Sequence, residues 1–169
     1  MTRDLVGAEI TGTFLLVFAG CGAVVVNDLY GGALGHLGVS TVFGLVVMAV
    51  IYSLGSVSGA HINPAVTIGF WMAGRLEAKL IPQYVIAQII GAVLAGVLLR
   101  ILFPEHTGLG GTLPAIDVPR AFLLEVVISF ALMYVILNVS TGELEKGIMA
   151  GAAVGGMVAL LALFAGPVT

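Results

Sequence analysis

The densest chemistry in the chain lies in Ser58-Gly59-Ala60-His61-Ile62-Asn63-Pro64-Ala65-Val66. Asparagine is a favoured helix N-cap and proline a favoured first helical residue, so Asn63-Pro64 starts a helix. The stretch from Pro64 to Met72 is nine residues long, mostly apolar, and bounded by Gly74-Arg75. Crossing a bilayer takes roughly 20 residues, so this helix is too short to span. The pattern predicts a re-entrant half-helix, with Gly59 to Ile62 as non-helical backbone at membrane depth. Such backbone is tolerated only where it is buried in protein or lines a wet cavity. The carbonyls of Gly59, Ala60, His61 and Ile62 would form a ladder of acceptors, and the Asn63 amide would add two donors. Water or a small hydroxylated solute satisfies both. The free helix N-terminus carries about half a positive elementary charge, which opposes cations and hydronium. The alternative is an ordinary polar turn followed by a helix lying at the interface.

Two carboxylates, Glu9 and Glu125, fall inside apolar runs. An ionised acid in a membrane helix costs on the order of 3 kcal/mol or more, so each needs polar partners and neither should face lipid. A proton relay is the other reading of the pair. His61 reads as a neutral imidazole bonded within the loop. His36 and His106 sit in other segments, so no metal site is expected. Cys21, the single cysteine, lies in an apolar run and packs as a small hydrophobe. No serine-histidine-acid set, HExxH, Walker or dinucleotide motif is present, which leaves an enzyme without candidate residues and calls for no cofactor.

These residues must be positioned by membrane helices. Of 169 residues, 60% are hydrophobic and 9% charged, and the mean hydropathy is +1.18. A soluble domain carries about a quarter charged residues. The formal net charge of −3 comes with no basic stripe for nucleic acid. Apolar runs of spanning length occupy Leu5–Val26, Val39–Val57, Ile81–Phe103, Ala121–Val139 and Ile148–Ala165. With the half-helix they form one all-α membrane domain over residues 1–169, retained rather than cleaved at its N-terminus. Pro104 to Arg120, rich in glycine and proline, reads as an irregular external loop. With the N-terminus inside, Arg3, Arg75, Lys79 and Lys146 face the cytoplasm and Arg100 and Arg120 face out, which favours a cytoplasmic N-terminus. The sequon Asn138-Val139-Ser140 is then cytoplasmic and a chance match. Gly91, Ala95 and Gly96, and Gly151, Gly155 and Gly156, are spaced to let helix backbones approach closely.

The passage around Asn63 resembles the signature of the aquaporin family, the major intrinsic proteins, whose asparagine-proline-alanine box is matched by Asn63-Pro64-Ala65. The likeness runs along the chain through Ala8-Glu9, Gly12-Thr13-Phe14, Tyr84, Ala87-Gln88, Gly91, Glu125 and Gly166-Pro167-Val168-Thr169. It implies a right-handed helical bundle built as an inverted repeat, residues 1–103 forming the first repeat and 119–169 an incomplete second. The second box, the sixth helix and the filter arginine would follow Thr169, so the chain is expected to be truncated or completed by another. The resemblance also implies that Glu9 accepts hydrogen bonds from the Asn63 loop, and Glu125 from the second loop.

In that family an aromatic residue twenty positions before the first asparagine lines the narrowest point, a place held by Phe43. Val47 and Ile51 continue its face as an apolar wall. The matching filter position on the fifth helix is Ala162, where a methyl group would admit glycerol, urea or an undissociated hydroxy acid beside water. The run Gly44 to Ser53 and the Gly-Pro-Val-Thr ending look closest to the nodulin-26-like members, although Phe43 departs from their usual pattern. The expectation is a passive channel for water and small uncharged solutes, an aquaglyceroporin-like bacterial or archaeal homotetramer in the inner membrane. The rivals are a proton-coupled secondary transporter and a pore-incompetent fragment or assembly module.

Overall fold

In lipid the backbone of an apolar run must bond to itself, and the chain answers with helices throughout. The computed structural model describes residues 2–140 and 149–169: α1 (Thr2–Leu29), α2 (Gly35–Ser58), α3 (Pro64–Met72), a 3-10 turn (Ala78–Leu80), α4 (Ile81–Leu102), α5 (Val118–Val139) and α6 (Ala150–Ala165). No strand occurs among the described residues. By length and composition α1, α2, α4 and α5 can each cross a membrane, and α6 is a shorter apolar helix from Ala150. Two positions used in the sequence reading, Lys146 and Ile148, lie outside the described residues.

At α5 the helix begins before the apolar stretch because a capping group, not hydropathy, sets its start. The loop expected from Pro104 to Arg120 stops earlier, since Asp117 caps α5 by accepting from Arg120 N at 3.2 Å. Pro119 and Arg120 thus belong to the first helical turn, where a proline costs no hydrogen bond. At the same end of the bundle, where Ala115 N donates to the Val168 carbonyl at 3.0 Å, Pro167 has no N–H to offer the Leu163 carbonyl, and His36 Nε2 meets that oxygen at 2.8 Å.

Small residues fix the register. On α1 and α4, which run parallel, a Cβ on Gly91 would overlap the Ile10 carbonyl, and one on Gly22 would touch Leu99. On α2 and α6, which run antiparallel, a Cβ on Gly44 would stand 2.5 Å from the Gly155 oxygen, and the reverse contact is the same. Gly151 seats the Tyr52 ring. Gly96 and Gly156, by contrast, face open space. Close backbone approach is what holds helices together where no hydrophobic drive exists.

The half-helix starts inside the bundle. Ile62 touches the Cβ position of Gly12, ten residues into α1, which at 1.5 Å per residue is about 15 Å from its start. From there α3 returns to the face where α1 begins and α2 and α5 end. Its apolar side packs on α5, with Gly69 fitted against Met133.

Candidate functional site

The turn from Gly59 to Asn63 is built on a carboxylate. Glu9, on α1 and fully buried, accepts from Ser58 Oγ (2.6 Å) and His61 N (3.0 Å) on one oxygen. Its other oxygen accepts from Ile62 N (2.8 Å) and Gln88 Nε2 (2.8 Å). Ser58 Oγ in turn accepts from Ala60 N at 3.1 Å. Three consecutive N–H groups are thereby drawn toward α1, directly or through Ser58. The cost is backbone strain: Ala60 (φ 48°) and Ile62 (φ 46°) sit in the left-handed region beside Gly59 (φ 84°), about 1–2 kcal/mol for each non-glycine residue.

Because the N–H groups point one way, the carbonyls are left on the other. The oxygens of Gly59, Ala60, His61 and Ile62 accept no hydrogen bond from the described residues, and all four residues line a cavity of about 950 Å³ together with Asn63. Asn63 caps α3 through Oδ1, which accepts from Ala65 N at 2.8 Å. Its Nδ2, with two donors, has no partner among the described residues and sits on the same wall. The facing wall is apolar: Phe43, Val47 and Ile51 from α2, Leu132 and Ile136 from α5, Val154 and Val158 from α6.

His61 is buried. Its ring stacks between Phe70 and Tyr84, each at 4.5 Å between centroids, and Nδ1 meets Thr67 Oγ1 at 3.2 Å. Gln88 Nε2 also donates to Thr67 Oγ1 (3.0 Å), and Tyr84 OH donates to the Ser58 carbonyl (2.5 Å). No cluster of three metal-ligating side chains occurs among the described residues. Thr67 and Gln88 escaped the sequence reading as partners of this network. A glutamine in the apolar middle of α4, one turn before Gly91, was the available signal.

The remaining expected residues divide. Phe43 lines the cavity, its ring seated over Gly20. Ala162 lies one turn beyond Val158 on the same stripe of α6 but is not among the lining residues. Glu125 is exposed and has no hydrogen-bond partner among the described residues. The reason is that α5 is the least covered of the spanning helices. Cys21 is half-buried, lines the cavity and lies beneath Gly110 of the loop between α4 and α5. That loop is tied down by Arg100, which donates to the His106 (2.7 Å) and Thr107 (3.2 Å) carbonyls, and by His106 Nε2 against Asp28 Oδ2 at 3.2 Å.

The family profile described as major intrinsic protein matches residues 2–169. The chain belongs to the major intrinsic protein family. This major intrinsic protein is 48% identical to aquaporin NIP1-2 of Oryza sativa subsp. japonica, over 98% of the chain and 57% of that relative. It is 46% identical to aquaporin NIP1-2 of Arabidopsis thaliana, over 96% of the chain and 58% of that relative. The chain thus spans under three fifths of the length of these relatives. Its fold is similar to the X-ray structure of the aquaglyceroporin from Plasmodium falciparum, with a TM-score of 0.82 at 27% identity, covering 99% of this chain and 72% of that one. Family and apolar helices together make it a multi-pass membrane protein.

Proposed function

We propose that this chain forms most of a passive channel for water and small uncharged solutes. One observation carries the reading: four consecutive unpartnered carbonyls and an asparagine amide share one wall of a deep cavity whose other wall is apolar. Acceptors spaced along one side let a neutral molecule exchange hydrogen bonds step by step, while the apolar side binds nothing and so does not hold it. Asn63 orients the solute by donation, Phe43 limits the width, Val47 continues the apolar wall, and Glu9 with its partners holds the carbonyls in place.

Several finer features rest on the family likeness. Glycerol, urea and metalloid acids are the solutes proposed beside water, with Ala162 beyond the cavity as a wide position on α6. Residues 1–103 form the first repeat and 119–169 part of a second. Glu125, exposed on α5, supports the second loop as Glu9 supports the first. The assembly is a homotetramer in a cell membrane with the N-terminus in the cytoplasm. Nothing in the path calls for a cofactor.

The deciding measurement is stopped-flow swelling of proteoliposomes with water, glycerol and boric acid. The chain alone is compared with the chain joined to the segment that follows the aligned region in its relatives. The joined protein is expected to pass water and at least one of the two solutes. If it passes none, the channel reading fails.

A further inference from the structure

One charged side chain is anchored at a mouth of the cavity and plays no part in the reading above. Arg75 follows the end of α3, where Gly74 takes a left-handed turn (φ 71°). Gly74 N donates to the Trp71 carbonyl (2.9 Å) and Arg75 N to the Phe70 carbonyl (2.9 Å), the paired bonds of a Schellman motif. That motif fixes where the arginine leaves the helix. Its Nη1 then crosses to the last turn of α5, donating to the Leu137 carbonyl at 2.7 Å and to Ser140 Oγ at 3.1 Å. The negative end of the α5 dipole favours a cation there.

Arg75 lines the cavity where Ser56, Leu76 and Val139 frame its opening, on the face opposite the loop between α4 and α5. Its Nε and Nη2 donors have no partner among the described residues, and no described acidic side chain lies within ion-pairing distance. A guanidinium stays protonated at any physiological pH. The mouth therefore carries a fixed positive charge, set against apolar walls that focus its field.

We propose that Arg75 is a specificity-determining residue that disfavours cations at this mouth, before they reach the half-helix N-terminus inside the bundle. The proposal rests on the channel reading. Two barriers in series explain why the chain holds a charged side chain at this mouth with two α5 anchors, where a simple clamp between α3 and α5 would need none of the unpaired donors. A single sign of charge at a cleft changes local ion concentration by about tenfold or more. The effect is screened when the Debye length shrinks from about 30 Å at 0.01 M to about 3 Å at 1 M salt.

The test uses the joined protein in proteoliposomes and planar bilayers, with Arg75→Gln and Arg75→Lys. Glutamine retains an N–H donor for the Leu137 carbonyl but no charge, and lysine retains the charge without the fork. Water flux is expected to stay within twofold in both. Potassium conductance is expected to rise about tenfold in Arg75→Gln at 0.01 M salt, to rise far less at 1 M, and to remain at the parent value in Arg75→Lys. Unchanged potassium conductance in Arg75→Gln with water flux intact overturns the proposal. So does equal loss of water flux in both variants, which would mark Arg75 as a clamp. A parent that passes no water overturns the channel reading and this one with it.

Discussion

Replacing Glu9 with glutamine tests whether a carboxylate is what shapes the carbonyl wall. The side chain keeps its size, but one of its two acceptor oxygens becomes an NH2 group. In the parent, one oxygen serves Ser58 Oγ and His61 N, and the other Ile62 N and Gln88 Nε2. Whichever way the new amide is turned, two donors face a donor. At about 1.5–3 kcal/mol for each hydrogen bond to a charged group, the gross loss is about 3–6 kcal/mol.

Two effects reduce that figure. Removing a buried charge relieves its desolvation, and Gln88 can rotate to present Oε1, which has no partner among the described residues. Rotation forfeits the bond to Thr67 Oγ1, so recovery is partial. The expected net destabilisation is about 2–4 kcal/mol, the same size as the about 1–2 kcal/mol of left-handed strain at each of Ala60 and Ile62. The loop should therefore relax before the bundle unfolds, and the carbonyls should leave the wall. Trp71, the only tryptophan, sits on α3 and reports its placement by fluorescence. Glu9→Gln is expected to lower the thermal midpoint in detergent, shift Trp71 emission and cut water flux more than tenfold. Parent-like stability, emission and flux together would refute the argument that the carboxylate imposes the loop geometry.

Further expectations follow from the same geometry. Asn63→Asp keeps the cap on Ala65 N but exchanges the free amide donors for negative charge, so water still passes while cation exclusion weakens; bilayer conductance checks this. Gly91→Leu drives a side chain into the Ile10 carbonyl, which is backbone and cannot give way, and should cost at least about 1–3 kcal/mol in detergent unfolding, whereas Gly96→Ala, facing open space, should be close to neutral. Ala162→His extends an imidazole from the stripe of Val154 and Val158 toward the cavity end, and should lower glycerol flux more than water flux in swelling assays. Equal losses would place Ala162 away from the solute path.

The bounds of α3 were legible to the residue because two strong local signals frame it, the Asn63-Pro64 start and the Gly74 turn. Of the five spanning helices expected, four are long and apolar enough to cross a membrane among the described residues, α6 being shorter, and their extents differ from the apolar runs. Hydropathy reports where lipid begins, while Asp117 and the tolerance of Pro119 in a first turn decide where α5 begins. The network around Glu9 was half legible: a buried acid requires donors, and three of the four are backbone or loop groups adjacent to Asn63. The fourth, Gln88, comes from α4, and its approach depends on Gly91 bringing α4 against α1. Tertiary register of this kind leaves little mark on a single segment. Arg75 was legible only as a charge for counting sides, because its anchoring residues lie over sixty positions downstream.

The polarity of the cavity wall is a consequence of how one short turn divides its hydrogen bonds. A helix pairs every N–H with a C=O and leaves neither for a passing molecule. Here the division is broken by a carboxylate that takes N–H groups and gives none back, so carbonyls are left free on the opposite side. A neutral partner such as a glutamine at position 9 both donates and accepts, and so would compete for the carbonyls it is meant to free. An acid buried in lipid is costly, yet only an acceptor-only group can sort the backbone in this way. That requirement ties the most expensive residue in α1 to the existence of a one-sided polar path, and it makes the choice of glutamate a matter of hydrogen-bond direction rather than of charge alone.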